Sequence, residues 1–350
     1  FVQSLLRALD ISPATQLLVF STTSLQLSRI SVRNPRALYF NDHTYVGYVP
    51  RGQIEVISMD SRQVYRSMDI GTAKVCTADQ ARVPHHGLDV VTPGESYSAG
   101  RFAREARVWI KEIRGRSRVP VLVGGTGFFL RAVLDPIFAE PPLDPDRLKD
   151  LRAWLKAQNR NLLERWVEQL DPDRAPLAIK GGPQRMGRTI EVALLSGKKL
   201  SWWHEASLPE SDGLQGVVIL LDLPRLEMDQ RIEDRVSQMV ERGLVAEVRT
   251  LLDAGYEDEA PGMTGTGYRE IAAHIRGEQS LDQAVEEICR NTRRYSRRQL
   301  TWFRNQLPDS TVHVDATLPL QDQLELVVAA WDKGDGSHSL QDQVKVENSF

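Results

Sequence analysis

Several short stretches carry residues whose types and spacing could do chemistry. Asp60-Ser61-Arg62-Gln63-Val64-Tyr65 follows directly on an apolar run, Ile54–Met59, that reads as a buried strand. A carboxylate at the C-terminal end of such a strand points into the ligand crevice of an α/β sheet. There it can take a proton or orient water around a metal. An Asp-Ser pair is equally a common helix start, with Asp60 as its N-cap, and spacing alone leaves both roles open. Gly124-Gly125-Thr126-Gly127 follows a second such run, Val119–Val123. Paired glycines let a backbone approach an anion, or they make a tight strand-to-helix turn. Two loops after two neighbouring strands would face one crevice.

Further along, Pro183-Gln184-Arg185-Met186-Gly187-Arg188 opens a helical pattern. Gln and Arg at a helix start suit phosphate or base contacts, although a solvated polar face explains them on their own. Residues 290–304 (RNTRRYSRRQLTWFR) hold six arginines and no acid. On a helix Arg290, Arg294 and Arg298 form one stripe at i, i+4, Arg293 and Arg297 form the adjacent one, and Tyr295, Gln299, Trp302 and Phe303 lie towards the other side. The lack of local acids favours a polyanion-binding face over a solvated, ion-paired helix. Arg231 and Arg235 share a helix face, where they could clamp a diphosphate or pair with Glu233 and Asp234. His85-His86 has no companion cluster of His or Cys, which argues against a metal site.

The elements that must position these groups follow from the hydrophobic pattern. Ile54–Met59, Val119–Val123 and Gly216–Leu223 read as buried strands. The amphipathic stretch 97–114 between the first two has Phe102, Ala106, Trp109, Ile110 and Ile113 on one face. Strand, helix, strand in this spacing implies a parallel α/β sheet. After the stiff break Pro141-Pro142-Leu143-Asp144-Pro145 the chain turns helical until Gly216, the pattern of an inserted helical domain. Helices are expected over 225–242, 244–255, 268–277 and 281–305. The tail 333–350 is polar and aperiodic and is expected to be disordered.

Composition narrows the class. The 350 residues are 41% hydrophobic and 26% charged, ordinary for a globular protein, and suggest about two domains. A net charge of −3 excludes a globally basic coat protein but leaves room for a local basic face. Two distant cysteines, Cys76 and Cys289, make no disulfide framework, so a cytoplasmic setting is expected. No apolar run approaches the ~18 residues of a membrane span, and the first residues lack a signal peptide's pattern. The chain starts at Phe1 rather than Met, as a fragment or a processed product would.

Taken together, ISMDSRQVYRSMDIGTAK, HHGLDVVTPGESYSAGRF, VPVLVGGTGFFLRAVL, PQRMGRTIEVALLSGK, GTGYREI and TRRYSRRQLTWFR occur in an order and spacing that resemble the tRNA dimethylallyltransferase (tRNA isopentenyl-diphosphate transferase) family. The resemblance runs over about 54–315. It implies a P-loop-NTPase-like α/β core, 54–137 and 210–315, with an inserted all-helical tRNA-contacting domain at 138–209. It also implies transfer of a dimethylallyl group from its diphosphate to the exocyclic amine of the adenosine beside the anticodon, by a monomer working with Mg2+ and ATP-type nucleotide-binding architecture. By resemblance Asp60 is the general base, with magnesium near it. Thr126 lies beside the reacting groups, and Arg231 or Arg235, with Gly124 and Gly125, meets the diphosphate. Ser61, Arg62, Gln63, Gln184, Arg185, Met186, Gly187, Arg188, Arg294 and Arg298 fall in tRNA-contacting stretches.

Residues 1–53 depart from that pattern. The family begins with a strand and a Gly-rich phosphate loop, yet no G-x-x-x-x-G-K-[ST] occurs there, and STTSLQLS follows the strand-like QLLVF. Asn34–Pro50 does not read as the helix due next. The expectation is a foreign or mis-joined opening segment, a core lacking its central first strand, and much reduced activity. A catalytically silent tRNA-binding protein and a P-loop-type small-molecule kinase are the alternatives. The missing lysine loop counts further against the kinase.

Overall fold

The computed structural model describes the backbone of 17–21, 31–34 and 37–39, and then 54–135, 137–138, 141–206, 209–211, 213–319, 321–323, 325–327 and 329–330. The phosphate-loop position after Ser21, the junction near 52–55 up to Gln53, and the tail 333–350 lie outside the described residues.

The chain divides into two compact units, one made of 1–134 and 214–350, the other of Asp135–Gly213. In chain order the first unit opens with β1 (Leu17–Ser21), β2 (Ser31–Asn34), β3 (Ala37–Tyr39), β4 (Ile54–Ser58), α1 (Thr77–Gln80), β5 (His85–His86), α2 (Ala99–Gly115), β6 (Val119–Gly124) and α3 (Gly127–Leu134). The second unit holds β7 (Ile137–Phe138), α4 (Pro145–Lys156), α5 (Arg160–Leu170), α6 (Ala175–Gly181), α7 (Pro183–Ser196), α8 (Leu200–Ala206) and β8 (Pro209–Ser211). The first resumes with β9 (Gly216–Asp222), α9 (Arg225–Glu241), α10 (Leu244–Asp253), α11 (Tyr268–Ile275), α12 (Leu281–Gln306) and β10 (Val312–Asp315).

Its sheet is six-stranded and parallel, in the order β10-β9-β1-β6-β4-β5. The apolar runs form the strands because a parallel sheet covered on both faces needs continuous hydrophobic stretches. Ile57 and Leu122 are fully buried, and α2 packs Phe102, Ala106 and Ile110 on the core side. Trp109, on the same stripe, stays half-buried and sits edge-on to Phe102.

The central first strand is present: the strand-like run QLLVF forms it, so the departure of residues 1–53 from the family pattern does not leave the core without that strand. Leu17–Ser21 pairs in parallel with both β6 and β9. The run LLVF supplies the apolar pattern such a slot requires, whatever its origin. The next described segments, β2 and β3, form an antiparallel ladder, in keeping with the absence of a helical pattern there.

On β4 Glu55 is 1% exposed, and its carboxylate accepts hydrogen bonds from Arg116 (2.8 and 2.9 Å) and Arg118 (2.8 Å) and pairs with His86 (2.6 Å). Burial pushes this acid up, but the two guanidinium groups and the imidazole outweigh it and hold its pKa at about 2.

The second unit has its own core of Leu155, Leu163, Val167, Ala175, Ala178, Met186 and Ile190. Its helices start where the chain offers caps: Asp144 accepts from Arg147 N at 2.9 Å, and Asn159 from Leu162 N at 2.9 Å. Buried Asp171 accepts from the Ser201 amide and hydroxyl at 2.9 and 2.6 Å, fixing the start of α8. Among the described residues no helix is long and apolar enough to cross a membrane.

Candidate active site

The neighbouring strands β4 and β6 end side by side. The Met59 amide donates to Val123 O (2.8 Å), and the Thr126 amide donates back to Met59 O (3.3 Å). The Asp60 loop and the GGTG loop therefore leave the sheet together. Ser61 N donates to Thr126 Oγ1 at 3.0 Å, which ties one loop to the other.

Asp60 and Ser61 stand on the wall of a polar cavity of about 520 Å³. Asp60 is 6% exposed, and the Arg62 amide donates to its Oδ1 at 2.8 Å. Burial pushes its carboxyl above the usual aspartate range; the amides of Arg62 and Gln63 and the charge of Arg235 only partly offset this. The result is a carboxylate more basic than a free one, the property a general base needs. Arg235 lines the same cavity, and burial draws its pKa down to about 10 against the pull of Asp60, so it remains a cation.

Arg294 and Arg298 reach this cavity from α12, together with Tyr295. Arg293, on the adjacent stripe, does not: it pairs with Glu233 and lies 3.8 Å from Asp229, both on α9. Arg290 pairs with Glu287 at 3.4 Å. Acids missing from residues 290–304 are thus supplied by a neighbouring helix and by the preceding turn, and only one arginine stripe faces the cavity.

Other expected site residues fall elsewhere. Arg231 pairs with Glu227 at 2.8 Å and does not line the cavity, so of the two arginines one turn apart Arg235 is the one at the site. Gln63 is 1% exposed and its side chain turns inward, away from the cavity lining. Its side chain accepts from Ser58 Oγ (2.8 Å) and donates to Thr72 O and Ala73 O (3.3 Å each), bracing the loop from beneath. Gly124 and Gly125 do not line the cavity either. A Cβ on Gly124 would come within 2.2 Å of Met59 O, so this glycine allows the two strand ends to touch. Gly125 O accepts from Gln299 Nε2 at 2.6 Å. Thr126 stands one hydrogen bond behind Ser61. Arg62 lines the cavity while its guanidinium donates to Pro261 O at 2.9 Å.

In the inserted unit, Gln184 and Arg185 are exposed at the start of α7, whereas the Met186 side chain is fully buried in that unit's core. Gly187 and Arg188 are half-buried, and Arg188 lies 3.6 Å from Glu191.

Residue spacing gave no role to a further part of the lining, Thr264, Thr266, Gly267 and Arg269, of which Thr264 accepts from the Arg62 guanidinium at 3.3 Å. Glu270, 2% exposed, takes the Gly267 amide (2.7 Å) and Asn291 Nδ2 (2.9 Å), which sets Asn291 at the rim. The clustered Thr-Gly-Thr-Gly before a helix was the available signal. Tyr295 was also missed: it lies among Asp60, Thr126 and Gln299, and burial followed by the nearby Asp60 raises its phenol. Among the described residues no group of three or more His, Cys, Asp or Glu side chains could hold a metal ion.

A parallel sheet that ends at a cavity holding one buried carboxylate, faced by arginines from the helices α9 and α12, defines a P-loop-like α/β core with a site suited to an anionic substrate. The family model described as IPP transferase matches residues 63–306. A tRNA dimethylallyltransferase of Carboxydothermus hydrogenoformans is 40% identical over 251 residues, 71% of this chain and 80% of that protein. One from Syntrophobacter fumaroxidans is 41% identical over 250 residues, 71% of this chain and 73% of that protein. The crystal structure of a tRNA isopentenylpyrophosphate transferase from Staphylococcus epidermidis superposes with a TM-score of 0.59 at 29% identity, covering 91% of this chain and 98% of that one. The chain belongs to the IPP transferase family.

Proposed function

We propose that this chain transfers a dimethylallyl group from dimethylallyl diphosphate to the exocyclic amine of the adenosine beside the anticodon of tRNA. The observation that carries the reading is the buried Asp60 facing the same cavity as Arg235, Arg294 and Arg298, in a chain of this family.

The amine nitrogen attacks the allylic carbon, the carbon–oxygen bond to the diphosphate breaks, and pyrophosphate leaves with the bonding electrons. Asp60 accepts the proton that the amine sheds. Arg235 meets the charge that grows on the leaving group. Ser61, held by Thr126, keeps the Asp60 loop in register. The adenosine must leave its stack to bring its amine into the cavity. Arg294 and Arg298 meet the backbone of the anticodon stem-loop, and Gln184, Arg185 and Arg188 of the inserted unit provide further contacts to tRNA.

A divalent ion fits the chemistry of this donor set. Mg2+ is held by few protein oxygens together with substrate phosphates, and the Ser61 hydroxyl, on the cavity wall next to Asp60, would hold it beside the diphosphate. When bound, it neutralises charge on the leaving pyrophosphate. We place the enzyme in the cytoplasm as a monomer. Without a Gly-Lys-Ser/Thr loop its turnover is expected to be well below that of an intact relative.

Incubating the chain with radiolabelled dimethylallyl diphosphate, Mg2+ and unmodified tRNA should label one adenosine next to the anticodon. Salt-dependent tRNA binding with no label at saturating diphosphate would overturn the reading in favour of a silent tRNA-binding protein, which the missing phosphate loop favours.

A further inference from the structure

Glu247 lies in the first turn of α10 and does not line the cavity, yet it holds an unusual set of donors. Its Oε2 accepts from the backbone amides of Asp69 (2.9 Å) and Ile70 (2.7 Å), and its Oε1 from the Gly71 amide (3.0 Å) and the Tyr268 hydroxyl (2.6 Å). Three successive amides turned towards one carboxylate make an anion nest, here filled by the protein's own side chain. The Tyr268 ring, 1% exposed, presses on the same turn, so that a Cβ on Gly71 would come within 2.6 Å of it.

The turn held in this way reaches the reaction site by covalent and hydrogen-bonded steps. Gly71 and Thr72 form part of the cavity wall. Thr72 O and Ala73 O are the acceptors of buried Gln63, whose backbone amide is one of the donors to Asp60. At its far end the turn is closed by Lys74, whose ammonium donates to Tyr65 O (2.7 Å), Asp69 (2.6 Å) and Asp89 (2.7 Å).

We infer that Glu247 is a positioning residue for the transfer reaction: by gathering the amides of Asp69, Ile70 and Gly71 it sets the cavity wall and, through Thr72, Ala73 and Gln63, the orientation of Asp60. The inference rests on the proposed function for its chemistry and on the hydrogen bonds alone for its geometry. Spacing in the sequence hides it, because 176 positions separate Glu247 from Gly71.

Glu247→Gln keeps the size of the side chain but replaces one acceptor oxygen by an NH2 group, which cannot accept the amides. Well below its unfolding midpoint, the variant should lose about tenfold or more in kcat while its KM for tRNA stays within about twofold, since the arginines are untouched. Backbone amide exchange at 69–71 should speed up by a similar factor, with no change in α2. Tyr268→Phe leaves the three amides paired and should keep kcat within about threefold. Wild-type kcat in folded Glu247→Gln, a loss confined to KM, or unchanged exchange at 69–71 would each overturn the inference. A wild-type chain that prenylates nothing counts against the proposed function alone, and the exchange measurement then decides whether the nest sets the wall.

Discussion

Asp60 joins two requirements that oppose each other. It must be ionised to take a proton, and it must be dry enough to want one. Burial raises its affinity for the proton, while two backbone amides and Arg235 keep the charged form accessible. The rate should therefore fall on the acid side with an apparent pKa above the ordinary aspartate range, and Asp60→Asn should cost about 10²–10⁴-fold in kcat with folding retained. A pH–rate profile beside circular dichroism checks both; a profile with no acid limb above the ordinary aspartate range would count against Asp60 as the base. The residues around it were unevenly legible in the sequence. Asp60 and Ser61 could be read because a strand end fixes where they point. Gln63, three positions on, could not: its inward turn depends on carbonyls at 72 and 73 that only the folded loop brings near. Arg231 and Arg235 share one helix stripe, and only the location of the cavity separates them.

At the level of elements, α12 divides its arginines by partner. Arg294 and Arg298 face the cavity, whereas Arg293 is committed to acids of α9. Replacing Arg294 and Arg298 by Ala should reduce the slope of log K against log salt for tRNA binding by about 1 per arginine, while Arg293→Ala should leave the slope unchanged and cost under about 1 kcal/mol of stability. Equal slopes for all three would mean that the helix meets RNA with both stripes. The end of β4 away from the cavity depends on Glu55. Its pKa of about 2 lies below the unfolded value, so its stabilisation is complete above about pH 4.3 and fades as pH falls towards 2. Glu55→Gln should destabilise the first unit by about 2–3 kcal/mol at pH 7. The gap between variant and wild type should close at low pH in urea titrations. Helix ends here were readable to within a few residues from the hydrophobic period: 225–242, 244–255, 268–277 and 281–305 were expected, and Arg225–Glu241, Leu244–Asp253, Tyr268–Ile275 and Leu281–Gln306 form. The short β5, β8 and β10 were not, since strands of two to four residues lack a measurable period.

For the whole molecule, the interruption of one α/β unit by a helical one was visible as a shift in hydrophobic period after Pro141-Pro142. The contribution of the opening segment was not. A missing phosphate-loop motif says nothing about whether the strand before it can still pair, and LLVF pairs on both sides.

That central position has a consequence for how the chain survives in solution. Between β6 and β9 there is no hydrogen bonding except through Leu17–Ser21. A chain beginning at Ile54 would hold two separate part-sheets, β9-β10 and β6-β4-β5, each with a row of open amides and carbonyls where β1 had been. Such borders invite strands from other copies. Chains cut at this point should elute from a sizing column as soluble aggregates, whereas the 350-residue chain should not. A monomeric, cooperatively unfolding 54–350 fragment would show that the two halves can close upon one another without the strand between them.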